Sequence, residues 1–243
     1  MPRPVSILKG QKFLSTAGLY MKVVKYYDAK RILVEFEKSG YRCEVHSANL
    51  RKGQVRDLYQ VSVLGVGYLG GTIWNPKNHR ILYDRWVHMI ERCYNNPAYV
   101  EVTICKRWYN FQWFCEDVSR LRNHNDLNFE MDKDLRILGS RQYNKNTVSF
   151  VPKKVNNLIK HRLPRKYDLP EGIDPHHTGG YAVRRTVNGV ACRKVFKSLE
   201  KAKHFALKLK KLEVNRVADL YRNDLHPLVY KNLKNYDGHN YTN

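Results

Sequence analysis

The chain has no apolar run approaching the ~20 residues that a bilayer-spanning helix needs, so a membrane-spanning helix is not expected. Its start, Met1-Pro-Arg-Pro-Val-Ser, lacks the apolar region of a signal peptide, and an intracellular protein is expected. Cysteine is sparse: Cys43, Cys93, Cys105, Cys115 and Cys192 are odd in number and form no Cys-x-x-Cys pair, which argues against a zinc knuckle or disulfide framework and for buried, reduced thiols. Acidic residues are also scarce, 22 Asp plus Glu against 44 Lys plus Arg in 243 residues, a formal net charge of +22. An excess of that size concerns partners rather than fold. Nucleic acid is the first candidate, since each neutralised phosphate releases counterions; an anionic membrane surface is the second.

With 42% hydrophobic and 12% aromatic residues the chain can bury real cores. Residues 1–70 read as a small all-β domain. Leu19 to Tyr27, Arg31 to Phe36 and Arg42 to His46 have strand composition bounded by Gly18, Asp28, Gly40 and Gly53, which predicts a small barrel or curled sheet. Its Lys9, Lys12, Lys22, Lys25, Lys30, Arg31, Arg51 and Lys52 either cradle a phosphate backbone or form a solvated basic face. Gly65-x-Gly67-x-x-Gly70 has the spacing of a dinucleotide loop. No helix pattern opens after it, so a hinge or tight turn is the reading.

Residues 71–162 form the second segment. Tyr83, Trp86, Ile90 and Cys93 fall on one helical face over 82–94, and Asn95-Asn96-Pro97 ends that helix. A strand over 100–105 and a helix over 110–122 follow. Trp86, Tyr94, Trp108, Phe111, Trp113 and Phe114 can stack bases, although their spacing suits a core better. Residues 126–150 read as two strands around Gly139, with Asp132 and Asp134 on one strand face, and a short helix begins at Lys153. Asp132, Asp134 and Asn156 are hard oxygen donors of the kind that hold a divalent metal. Lys153 and Lys154 add positive charge beside them.

Residues 163–179 read as a linker and 180–223 as a hairpin plus helix. Asn188-Gly189 is a hairpin-turn signal between two strands that carry Arg184, Arg185, Arg193, Lys194 and Lys197. Ser198 is placed to cap the following helix. A basic two-stranded ribbon of this kind can enter the major groove of duplex DNA. Residues 224–243 are a polar tail with Leu225, Leu228, Val229, Tyr230 and Leu233 as packing candidates.

Tyr83-x-x-Trp86-x-x-Met89-Ile90-x-Arg92-Cys93-Tyr94, then Val102 to Phe114, then Met131-Asp-Lys-Asp and Tyr143 to Asn156, resemble phage-encoded HNH-type (ββα-metal) endonucleases of the homing or free-standing kind. The unit beginning Gly180-Tyr-Ala-Val-Arg-Arg is similar to an Apetala-type DNA-binding domain. The resemblance implies an α+β, multidomain chain with a central ββα-metal domain and a C-terminal sheet-plus-helix domain. It implies Mg²⁺ or Mn²⁺ held by Asp132 and Asn156, with double-stranded DNA as the partner. Lys133 stands where that motif has its general-base His, and Thr147, beside Asn146, where it has the orienting Asn. His124, Asp134 and Tyr143 are the substitutes for the base. The alternatives are a degenerate, non-catalytic DNA-binding protein and, more remotely, an RNA or ribosome binder.

Overall fold

The computed structural model describes residues 6–159 and 169–238. They form two compact units, Met1–Asn75 with Tyr109–Gln112, and Pro76–Trp108 with Trp113–Asn243. The architecture is mixed α+β.

The first unit is an antiparallel meander of β1 (Lys12–Leu14), β2 (Tyr20–Asp28), β3 (Arg31–Phe36) and β4 (Arg42–Val45), in that order across the sheet. Alternation decides the buried side: Met21, Val23, Ile32, Val34 and Phe36 are all fully buried. A short helix, α1 (Ser47–Arg51), brings Leu50 into the same core. The expected barrel is therefore corrected to an open sheet, because β1 and β4 pair only inward and four strands of this length are too few to close. On the outer face the register lines up Lys12, Lys22, Glu35 and Arg42. Lys12 pairs with Glu37 at 2.7 Å and Arg42 pairs with Glu35, so this face is of mixed charge rather than a continuous basic cradle.

The glycine cluster is a folded loop. Val63 bridges Gly67, and a Cβ at Gly70 (φ +69°) would lie 2.2 Å from the Asn110 side chain. The Gln112 amide fixes the loop by donating to the carbonyls of Leu69, Gly71 and Trp74 at 3.0–3.2 Å. No phosphate-cradling helix start follows it: the next helix begins at Arg80.

The second unit opens with α2 (Arg80–Asn95), whose Leu82, Trp86, Met89 and Ile90 are buried. Trp86 Nε1 donates to the Trp108 carbonyl at 2.7 Å, and Trp108 Nε1 donates to Asp117 Oδ2 at 2.9 Å, so both buried indoles are satisfied. Asp117 lies on α3 (Phe111–Val118), which is shorter than the helix expected over 110–122. Burial of Trp86, Trp108, Phe111 and Phe114 assigns them to cores; Tyr94 and Trp113 remain exposed. The strand expected over 100–105 is reduced to β5 (Thr103–Ile104), which pairs in parallel with β7 (Gln142–Tyr143).

The strands expected to flank Gly139 do not pair with each other. Instead β6 (Phe129–Asp132) pairs antiparallel with β8 (Ser149–Pro152), and α4 (Lys153–Ile159) follows directly. A tight Asn144-centred turn, with Asn144 Oδ1 accepting from the Asn146 and Thr147 amides, hands the chain into β8.

The expected linker 163–179 is corrected from residue 169 onward; its earlier part lies outside the described residues. Ile173–Pro175 is a strand, β9, that joins β10 (Tyr181–Val187) and β11 (Val190–Phe196) in a sheet ordered β11-β10-β9. Asn188 (φ 50°) and Gly189 (φ 76°) make the hairpin turn. Ser198 caps α5 (Leu199–Leu220), its hydroxyl accepting from the Lys201 amide. The first half of α5 covers the sheet through Ala202, Ala206 and Leu209. Its second half, Val214, Val217 and Ala218, packs with Val151 and Val155 of the β8–α4 segment and with Val229 and Leu233 of α6 (Pro227–Lys234). Part of the expected tail is thus a packed helix.

Candidate functional site

The site suggested by Asp132, Lys133, Asp134 and Asn156 begins at the end of β6. The strand stops at Asp132, so Asp132 and Asp134 do not share a strand face as expected. Asp132 turns the chain instead, Oδ1 accepting from the amides of Asp134 at 2.9 Å and Leu135 at 2.7 Å. Burial, reinforced by the charge of Asp134, pushes the Asp132 carboxyl up to about 6, against the pull of those amides and of Lys133.

Lys133 is 3% exposed, and its Nζ lies 2.7 and 2.8 Å from the two oxygens of Asp134. The ammonium also stands 5.5 Å from the centre of the Tyr99 ring and 5.9 Å from that of Tyr143. The ammonium thus donates to both oxygens of the neighbouring carboxylate. Tyr143 is no substitute base: burial above all holds its phenol protonated. His124 lies in the α3–β6 connection with Nδ1 donating to the Leu121 carbonyl at 2.8 Å. Thr147 serves the loop, its hydroxyl donating to the Gln142 carbonyl at 2.7 Å.

Asn156, on α4, directs its amide nitrogen at Glu130 of β6. Glu130 precedes Asp132 by two residues and shares its strand face, a period-two signal legible in the sequence. The charge facing Glu130 comes from α2. Arg92 feels Glu130 together with Tyr143 and Tyr99, while Arg85 is stacked on the Phe150 ring at 4.6 Å and donates to the Asp126 carbonyl at 2.7 Å. Burial lowers the Arg85 pKa, and Asp126 and Glu130 oppose that.

Asp134 is spent on Lys133 and one Asp132 oxygen on the turn, while Asn156 uses its amide nitrogen on Glu130 and keeps its oxygen. Among the described residues no group of three His, Cys, Asp or Glu side chains gathers around a metal-sized point. Asp132 and Asn156 offer two side-chain donors between them, the number a Mg²⁺ that keeps most of its waters uses and too few for a protein cage. All five cysteines are free thiols; Cys115 is buried and the others are half-buried, and burial raises Cys43 and Cys93 to about 11.

The second cluster is on the β9–β10–β11 sheet, where register sorts the predicted DNA-contacting residues into two sides. Tyr181, Val183, Arg185 and Val187 of β10 stand opposite Phe196, Lys194, Cys192 and Val190 of β11, and most of these pack under α5. The other face carries Ala182, Arg184 and Thr186 opposite Val195, Arg193 and Ala191. Arg184 and Arg193 are exposed, directly opposite one another, and without an acidic partner among the described residues. Arg185 is instead drawn in toward Glu171 (3.9 Å), which also binds Lys210 at 3.2 Å. Lys194 lies against the Phe196 and Phe205 rings, 5.5 Å from each centre. Lys153, Lys154 and Lys197 are exposed.

No family model matches the chain, and neither a curated protein nor a solved structure is similar to it. Two constellations therefore stand on their own geometry: a carboxylate–lysine–amide cluster in the β6–β8–α4 segment, and an exposed arginine couple on the β9–β10–β11 sheet with no acidic partner among the described residues. No helix among the described residues is long and apolar enough to cross a membrane.

Proposed function

We propose that this chain is a duplex-DNA-binding protein that grips the phosphate backbone with the outer face of its β9–β10–β11 sheet. One observation carries the reading: Arg184 and Arg193 form a cross-strand pair of like charges, an arrangement that costs stability unless an anion comes between them. A chain with a net charge of +22 supplies the long-range attraction that brings a polyanion to that pair. The test is fluorescence anisotropy with a labelled duplex over a salt series, the same strand and a duplex RNA serving as competitors. Duplex-preferring binding that weakens steeply with salt supports the proposal. Preference for RNA would move the assignment to the RNA or ribosome reading, and salt-independent binding would defeat both.

A second reading, an HNH-type metal-dependent endonuclease, is favoured by the order of elements around Asp132. An antiparallel pair followed by a helix, with Asp132 closing the first strand and Asn156 on the helix, is the arrangement a ββα-metal site requires. Mg²⁺ or Mn²⁺ would be held by Asp132 and Asn156, and the metal would supply an activated water and charge stabilisation at the phosphorus. Lys133, paired with Asp134, stands at the position of the general base, whose assistance is worth typically ~10²–10⁴-fold. Incubating supercoiled plasmid with Mg²⁺ or Mn²⁺ and either the natural chain or Asp132→Ala decides this. Nicking that disappears in the variant establishes the nuclease; no nicking by either leaves a DNA-binding protein on a nuclease-like scaffold.

A further inference from the structure

We infer that His176 is a further contact of the same sheet face, one that takes up a proton as a nucleic-acid backbone docks along the face it shares with the Arg184–Arg193 pair. The inference rests on the DNA-binding reading above and adds to it a residue that the sequence did not single out.

The placement follows from the ladder. Asp174 of β9 pairs with Ala182, and the His176 amide donates to the Gly180 carbonyl at 3.0 Å, one step further along the same two strands. Period-two alternation then sets His176 on the face of Asp174, Ala182 and Arg184. On the other flank the Tyr181–Phe196 pair brings Lys197 opposite Gly180. A Cβ at Gly180 (φ +87°) would lie 2.4 Å from the Phe196 carbonyl oxygen and 3.4 Å from Lys197 Cα, so the bare glycine keeps these strands close. The face therefore has His176 and Lys197 at one end and Arg184 and Arg193 four residues away, roughly 13 Å along the strands. Between them Ala182 is fully buried.

The charged and titratable groups that face His176 are mostly cationic. They are Arg184, Arg193, Lys197 and the neighbouring His177, whose ring centre is 4.3 Å away, with Asp174 as the one carboxylate on this face among the described residues. The Nδ1 of His176 accepts from the Thr178 hydroxyl at 2.7 Å, which leaves Nε2–H of the neutral ring pointing away from the turn as a donor. Without a ligand, partial desolvation and then His177, Arg193 and Arg184 lower the His176 pKa. A phosphodiester reverses the balance: its charge neutralises the guanidiniums and favours the imidazolium, and the proton comes from solvent. Inorganic phosphate has the same chemistry but only one anionic group. A nucleic acid offers a row of them, enough to reach both ends of the face.

The test compares the full chain with His176→Gln, and His177→Gln as a second variant, by duplex anisotropy at fixed ionic strength from about pH 5.5 to 8.5. In parallel, the His176 ring protons are titrated by NMR without ligand, with inorganic phosphate and with duplex. The expected result is an affinity for the natural chain that falls as pH rises through the histidine range, by about tenfold for each unit that duplex raises the His176 pKa. His176→Gln should flatten that profile while still binding at high pH, and His177→Gln should retain it. An identical pH profile in His176→Gln, or a His176 pKa that duplex does not raise, overturns the inference while leaving DNA binding intact. A raise produced equally by inorganic phosphate also overturns it, assigning the site to a free anion. Absence of duplex binding at every pH removes the DNA-binding reading itself.

Discussion

Arg184 and Arg193 face each other across the β10–β11 hairpin, two guanidinium side chains on one exposed surface with no ion-pair partner for either among the described residues. Directly opposed residues have Cβ atoms about 4.5–5.5 Å apart, so the pair is repulsive in the free protein. Arg184→Ala with Arg193→Ala should leave folding intact or raise Tm slightly, weaken duplex binding, and lower the slope of log K against log salt by about 1.8, two phosphates' worth. An unchanged slope would remove the hairpin from the footprint.

Arg185 is the contrasting case. It is adjacent in sequence to Arg184 but turned under α5 toward Glu171. Its replacement by alanine should lower Tm while leaving the salt slope where it was. A binding defect with normal stability would show that the division of the hairpin into two faces is mistaken.

The ion pair of Lys133 with Asp134 is largely out of water on the lysine side, with side-chain exposures of 3% and 20%. Lys133→Met strands a carboxylate next to the already burdened Asp132 and should cost about 2–3 kcal/mol in denaturant unfolding. Adding Asp134→Leu should return most of that loss. A single variant as stable as the natural chain would mean the pair does not organise the turn.

Asp132 makes stability depend on pH with a definite sign. Its folded pKa, about 6, lies above the ordinary carboxylate value of 3.8, so the native state binds the proton more tightly than the unfolded chain does. Stability attributable to this group is therefore greatest below about pH 4 and declines as pH rises toward about 6, by roughly 2–3 kcal/mol in all. Asp132→Asn keeps an oxygen for the two turn amides and removes the charge. The difference in unfolding free energy between variant and natural chain should grow in the variant's favour across that window and level off above it. A difference that is flat with pH, or of the opposite sign, would contradict the burial of this carboxyl.

Much of the fold was readable from pattern. The strands β2 to β4, the Asn188-Gly189 hairpin, the Ser198 cap and helix α2 all follow from period, turn chemistry and capping. What stayed hidden depends on pairing between distant segments. Nothing local to 126–150 says that β6 will pair with β8 while β7 leaves to join β5. The composition around Ile173 reads as linker because a three-residue strand has no period to detect, and only pairing with β10 makes it one. The site was hidden for the same reason. Lys133 is adjacent to the acidic pair in sequence, but its ring neighbours Tyr99 and Tyr143 come from elsewhere, and the sorting of Arg184 from Arg185 needs the register.

Helix α5 belongs to two cores at once, its first half to the β9–β11 sheet and its second to α4 and α6. A helix is stiff over 22 residues, so neither core can open without exposing apolar surface of the other. The two therefore share one opening free energy, and ligand bound to the sheet adds its linkage energy to both. Amides in α6, on the far half of that helix, would then exchange their hydrogens more slowly when duplex occupies a surface they do not touch.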